Sequence, residues 1–244
     1  MKKSAALILS ALLAATLMIP TQAADYKALP GTPTVDGKLD DIYTQSQAIG
    51  TSTKSKKIWS SGNGADKSDA DAKTYVLHDN DYVYFCTVVK ESTIVDCGIK
   101  NNWQSDAVEL WIKFDGANKK KVSVDAFGTK IYGDITDTSK YKYAVTRADG
   151  QYITELAIPK ADFKKEPVGI SVQINDFQEA AATNGAAWGS QGAEDTVTLS
   201  SDKVVVKKTE TKKPDSAAQT ADAGIIASIA AMAASAAVIF KKKH

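Results

Sequence analysis

From Asp106 to Asp115 apolar and polar side chains alternate: Val108, Leu110, Ile112 and Phe114 in one register, Ala107, Glu109, Trp111 and Lys113 in the other. A period of two puts these sets on opposite faces of an extended strand, whereas a helix face repeats about every 3.6 residues. The alternation returns in Lys120–Phe127, where Lys121, Ser123 and Asp125 oppose Val122, Val124 and Ala126. It returns again in Val168–Phe177, with Gln173 and Asn175 opposite Val172 and Ile174. Lys73–His78, Tyr82–Lys90, Lys142–Ala148, Gln151–Ile158 and Thr196–Ser200 also read as strands. Asp79-Asn80-Asp81 and Asp149-Gly150 supply the turns between them. No window of the central region keeps a sustained apolar helical period. The pattern predicts an all-β fold, an antiparallel β-sandwich. If these strands share a sheet, Glu109, Trp111, Lys121, Ser123, Gln173 and Asn175 lie together on its outer face. Most such residues belong to ordinary solvated faces, but an indole among carboxylate and amide groups is unusual there.

Both ends differ from this middle. Met1–Lys3, the apolar run Ser4–Ile19 and the small residues Thr21–Ala24 read as a secretory signal peptide, residues 1–23. Residues 24–202 form the domain, and 203–222, rich in Lys, Thr, Ala and Ser, a flexible linker. Ala223–Phe240 carries no charge and precedes Lys241–Lys243. As a helix it is about 27 Å long, enough to cross a membrane and leave the lysines in the cytoplasm. Residues 223–244 are thus expected to be a transmembrane anchor with the domain outside, on a bacterial cell surface.

The chain has 30 basic and 29 acidic residues, but the charge is segregated. Asp25–Asp202 holds 20 basic and 26 acidic side chains, a net of −6, and Arg147 is its one arginine. No basic stripe is available for a phosphate backbone, so nucleic acid is not an expected partner. Cys86 and Cys97 in an exported chain leave two readings open: one disulfide, or a small buried residue in a strand at Cys86. With His78 and His244 as the only histidines there is no zinc pattern.

Several segments, in order, resemble family 9 carbohydrate-binding modules and their DOMON-like sandwich relatives. Pro33–Tyr43, with Val35-Asp36-Gly37 and Leu39-Asp40-Asp41, resembles the opening of that domain, and Tyr75–Val89 an early strand pair. Asn102–Ile112, with Trp103, Asp106, Val108 and Glu109, is similar to its most distinctive strand. Gly150–Pro159, Gly169–Asp176 and Trp188 resemble later parts. The resemblance implies a jelly-roll, DOMON-like sandwich that grips a terminal sugar between two tryptophans, with polar side chains on the hydroxyls. A sugar's C–H face packs on an aromatic plane while fixed donors and acceptors orient it. By position Trp103 resembles the first stacking tryptophan and Glu109 the carboxylate accepting from hydroxyls. Lys121 stands where the family has an arginine, and Gln173 and Asn175 lie on the polar strand.

This sequence departs from the family after Trp188. Gly189–Glu194 has no aromatic to serve as the second stacking residue, so either Trp111 or Tyr132 substitutes, or the site is flatter or lost. Trp59 matches nothing in the pattern and reads as a packing residue or an exposed loop anchor. The function expected is a surface-tethered, non-catalytic carbohydrate-binding module. Its binding residues are Trp103, Glu109, Trp111, Lys121, Gln173 and Asn175. Its partners are a polysaccharide, the membrane, and glycoside hydrolases displayed alongside. The alternatives are a structural or adhesive surface domain that kept the fold without the sugar site, and, further off, a haem-binding redox domain. The last needs axial His or Met ligands, and outside the terminal segments only His78 is present. Glycoside hydrolysis needs two carboxylates placed about 5–10 Å apart, and nothing in the sequence assigns Asp106 and Glu109 that role. No catalytic residue, metal site or cofactor is assigned. The resemblance allows a structural calcium, for which Asp36, Asp40, Asp41, Asp66, Asp69 and Asp71 are loop carboxylates.

Overall fold

The computed structural model describes residues 23–96, 104–129, 131–181 and 183–202. The expected signal peptide, linker and anchor, together with Cys97 and Trp103, lie outside the described residues. Among those residues no helix is long and apolar enough to cross a membrane.

Thirteen strands are described: β1 (Asp25–Pro30), β2 (Ile49–Ser52), β3 (Lys57–Ser61), β4 (Asp71–His78), β5 (Tyr82–Lys90), β6 (Ala107–Lys113), β7 (Lys119–Asp125), β8 (Ile131–Gly133), β9 (Lys142–Ala148), β10 (Gln151–Pro159), β11 (Val168–Phe177), β12 (Gly185–Gly189) and β13 (Asp195–Leu199). They make a sheet-rich sandwich close to a barrel. One sheet runs β8-β7-β6-β11-β13, the other β4-β5-β10-β9, and β1 joins them. Asp25–Ala28 pair with β13, and Leu29–Pro30 with β4. Both of these pairings are parallel, which corrects the wholly antiparallel expectation. A strand joined to its neighbours by long connections rather than hairpins is free to run in either direction.

Alternation decides the core. Val108, Leu110, Ile112, Val122, Val124, Ile170, Val172 and Ile174 pack from one sheet against Val76, Val83, Phe85, Val89, Leu156 and Ile158 from the other, all buried. Burying a side chain of this kind contributes about 1.5–3 kcal/mol. The outer face of the second sheet is also covered. Tyr43, Leu77, Tyr84, Cys86 and Ala157 form a smaller core beneath Leu29, Val35, Leu39 and Ile42. Cys86 is buried within it, and Cys97, its partner in the disulfide reading, lies outside the described residues.

This second core explains the Val35–Tyr43 segment. Glu155 on β10 accepts the amides of Asp36 and Gly37 at 2.8 Å each and the Tyr43 hydroxyl at 3.0 Å. Gly37 is required here. Its φ is +79°, and a Cβ would meet the Val145 carbonyl carbon at 2.9 Å.

Candidate functional site

Strand register brings the polar residues together. Gln173 stands opposite Glu109, Glu109 opposite Ser123, and Trp111 opposite Lys121, so three adjacent strands contribute to one face. On the far side of β11, Asn175 pairs with Ala187 and Gln173 with Gly189, and Ala187 pairs in turn with Trp59 on β3. Between them β12 presents Ala187 and Gly189, which carry little or no side chain. Trp59 therefore lines, with Glu109, Trp111, Lys121, Gln173 and Gln191, a depression of about 310 Å³.

The face is not a solvated one: Glu109, Ser123, Gln173 and Asn175 are each at most 2% exposed. Burial at this depth demands partners, and the polar groups form a directed chain. Lys121 Nζ lies 3.4 Å from Glu109 Oε1, which also accepts from Asn175 Nδ2 at 3.2 Å. Gln173 Nε2 donates to Asn175 Oδ1 at 2.6 Å, and Gln191 Nε2 to Gln173 Oε1 at 2.6 Å. Desolvation raises the Glu109 carboxyl above its ordinary range, with the Lys121 charge and the Asn175 hydrogen bond opposing it. The ammonium groups of Lys119 and Lys121 stand 5.2 and 5.9 Å from the centre of the Trp111 ring. Trp111 Nε1 is buried without a hydrogen-bond partner.

Of the residues expected from sequence, Glu109, Trp111, Lys121 and Gln173 meet around the depression, and Asn175 lies behind Glu109. Trp103 is outside the described residues. Tyr132 is buried, opposite Ser123, and is not among the residues of the depression. Trp59 is neither a loop anchor nor remote from this face: it sits in a strand, 5.4 Å from Phe177 between ring centroids. Its short Lys-Ile-Trp-Ser-Ser run is a weak strand signal, and only the pairing through β12 brings it here. Gln191 lies in a turn and had no signal at all.

A second group of polar residues lies at the end of the core. Glu91, Asp106 and Asp176, all buried, place ligand oxygens within 4.8 Å of one another. Asp106 accepts the amides of Phe177 and Val95 at 2.5 Å each, and Asp176 accepts from the Ser68 hydroxyl, also at 2.5 Å. Both oxygens of Glu91 lack a donor, and so does the hydroxyl of Tyr152. Burial, then the charges of Asp106 and Asp176, push Glu91 up to about 11, and burial likewise raises Asp106 and Asp176. Three buried carboxylates, with both Glu91 oxygens lacking a donor, fit a hard divalent cation, which takes oxygen ligands. Asp36, Asp40, Asp41, Asp66, Asp69 and Asp71 are not members of this group. Asp69 is its neighbour, and accepts the amide of Ser92.

Comparison with known proteins agrees with this architecture. Residues 35–198 match the family model described as carbohydrate family 9 binding domain-like. Endo-1,4-β-xylanase A of Thermotoga neapolitana is 31% identical over 161 residues, which are 61% of this chain but 14% of the xylanase. A family 9 carbohydrate-binding module from Caldicellulosiruptor kristjanssonii, solved in complex with cellotriose, superposes with a TM-score of 0.57 at 16% identity, over 75% of this chain and 97% of that one. A family 9 module from the same organism, solved in complex with glucose, gives 0.58 at 14% identity, over 74% of this chain and 99% of that one. These structures share the fold, and the family match spans most of the sandwich. The chain belongs to the carbohydrate family 9 binding domain-like family.

Proposed function

We propose that this chain is a non-catalytic, surface-tethered carbohydrate-binding module, and that the depression between Trp59 and Trp111 takes a sugar of a polysaccharide. The observation that carries this is that Trp59 and Trp111 line one open depression together with Glu109, Lys121, Gln173 and Gln191. Flat aromatic groups flanking a small set of convergent donors and acceptors suit a pyranose, whose ring faces are apolar and whose rim is hydroxylated. Trp59 supplies the second aromatic that Gly189–Glu194 does not. The modules solved with cellotriose and glucose support a β-glucan or related plant polysaccharide as the ligand. Membrane anchoring through 223–244 and export through 1–23 rest on the sequence alone, as do glycoside hydrolases as neighbours on the surface.

A structural cation, calcium by its ligand chemistry, is proposed at Glu91, Asp106 and Asp176. Bound there it would offset two of the three buried negative charges and tie the end of β5 to β11.

The test is titration of the purified chain with glucose, cellobiose and xylobiose, followed by heat and by tryptophan fluorescence. Saturable binding that is lost in Trp59→Ala and Glu109→Ala supports the proposal. Silence across the panel, with calcium present, would favour the second reading, a surface scaffold without a sugar site. One observation favours that reading: Glu109, Gln173 and Asn175 already satisfy one another.

A further inference from the structure

Lys119 and Lys121 approach the same indole. Trp111 and Lys121 line the depression, and Lys119 stands beside it, against Trp111 and Gln191, because Trp111 pairs with Lys121 and Lys113 with Lys119 on β6 and β7. An aromatic face attracts an ammonium group through its quadrupole but carries no net charge, so it positions the cation without neutralising it. Lys121 is offset in part by Glu109, at 3.4 Å. Lys119 is not. Its ammonium donates to the Gln191 carbonyl at 2.6 Å, a neutral acceptor, and among the described residues no carboxylate lies within ion-pair distance of it. Burial also disfavours the ionised form of Glu109, the one carboxylate lining the depression.

The mouth of the depression therefore carries surplus positive charge on a domain whose net charge is −6. A general excess of lysine does not explain it. Two held, incompletely neutralised ammonium groups beside a sugar-sized hollow are the arrangement that recognises an anionic substituent. We infer that the saccharide taken at Trp59, Trp111, Lys119 and Lys121 carries a carboxylate: a uronic acid, or a uronate-substituted polysaccharide. The inference rests on the sugar-binding proposal and narrows its ligand class.

The experiment compares glucose with glucuronic acid by isothermal titration of the full chain at neutral pH, in low and in high salt. Glucuronic acid is expected to bind about three- to tenfold more tightly than glucose in low salt, the range for one or two partly exposed ion pairs. High salt should remove the advantage. Lys119→Met should also remove it and Lys119→Arg retain it, with circular dichroism confirming that both variants are folded. Equal affinities, or a preference for glucose, overturn the charge inference and leave the sugar-binding proposal standing. Failure of both ligands overturns the two together.

Discussion

Asn175 and Asp176 are adjacent on β11 and face opposite sides of one sheet. The Asn175 amide donates to Glu109 in the depression, and the Asp176 carboxylate closes the buried cluster with Glu91 and Asp106. A period of two thus puts the proposed sugar site and the proposed cation site back to back on a single strand. Any change that shifts β11 disturbs both.

The aromatic pair carries the first prediction. Trp59→Ala and Trp111→Ala should each weaken sugar binding by about five- to a hundredfold, since a stacked ring contributes on the order of 1–3 kcal/mol through apolar burial and contact. Fluorescence titration measures it. Unchanged affinity in both variants would remove the depression as the binding site.

Calcium should raise the melting temperature and a chelator lower it. A ligand at a hundredfold excess over its Kd stabilises by about 2.7 kcal/mol, which is on the order of 5–10 °C for a domain of this size. Differential scanning calorimetry with and without chelator gives the shift, and Asp176→Asn should abolish it. Identical melting curves would mean that the three carboxylates hold no cation.

Sugar affinity should fall on acidification. The Glu109 carboxyl is raised above its ordinary value of 4.5 by burial, so it takes up its proton before an exposed glutamate would. The ionised form accepts from sugar hydroxyls. Binding is therefore expected to be level near neutral pH and to weaken as pH falls through the raised value. Glu109→Gln should bind weakly with no such dependence.

Asp79 makes the opposite kind of contribution. Burial works against its ionised form, but hydrogen bonds from the Tyr84 hydroxyl, the amides of Tyr82 and Asp81, and the Thr32 hydroxyl outweigh it and hold the carboxyl below its ordinary range. A folded-state pKa below the unfolded one gives stability that is present above the unfolded value and lost as pH falls through the folded one. Asp79→Ala should cost about 1–3 kcal/mol at neutral pH, from the bonds left unmade. The gap from the parent should close in acid, below the ordinary aspartate value of 3.8. A gap that stays constant into acid would show that the carboxylate charge is not what holds this turn.

Gly37→Ala tests the Val35–Tyr43 segment. Strain at positive φ and the contact with the Val145 backbone should lower stability by about 1–3 kcal/mol, measured by urea denaturation. An unchanged midpoint would show that the turn accommodates a side chain.

Alternation and turn residues were enough to locate the long strands. Tyr82–Lys90, Lys142–Ala148 and Val168–Phe177 have the bounds that alternation and turn residues predict. Alternation also determined which side of its own strand each of Glu109, Trp111, Lys121, Gln173 and Asn175 takes, because a period of two is a local property of each strand; the pairing of β6 with β7 and β11 then put them on one face. β12, Gly-Ala-Ala-Trp-Gly, has almost no side-chain pattern, and β3 is too short to show one, so neither was legible. Tertiary structure alone decided what depends on pairing between distant segments: the parallel run of β1 beside β13 and β4, the approach of Trp59 to Glu109 across β12, and the meeting of Glu91, Asp106 and Asp176. Those carboxylates are far apart in sequence, and Glu91 and Asp106 lie just outside their strands. Local periodicity carries no information about which ends converge. Backbone hydrogen bonding between strands and the burial of a shared core settle that.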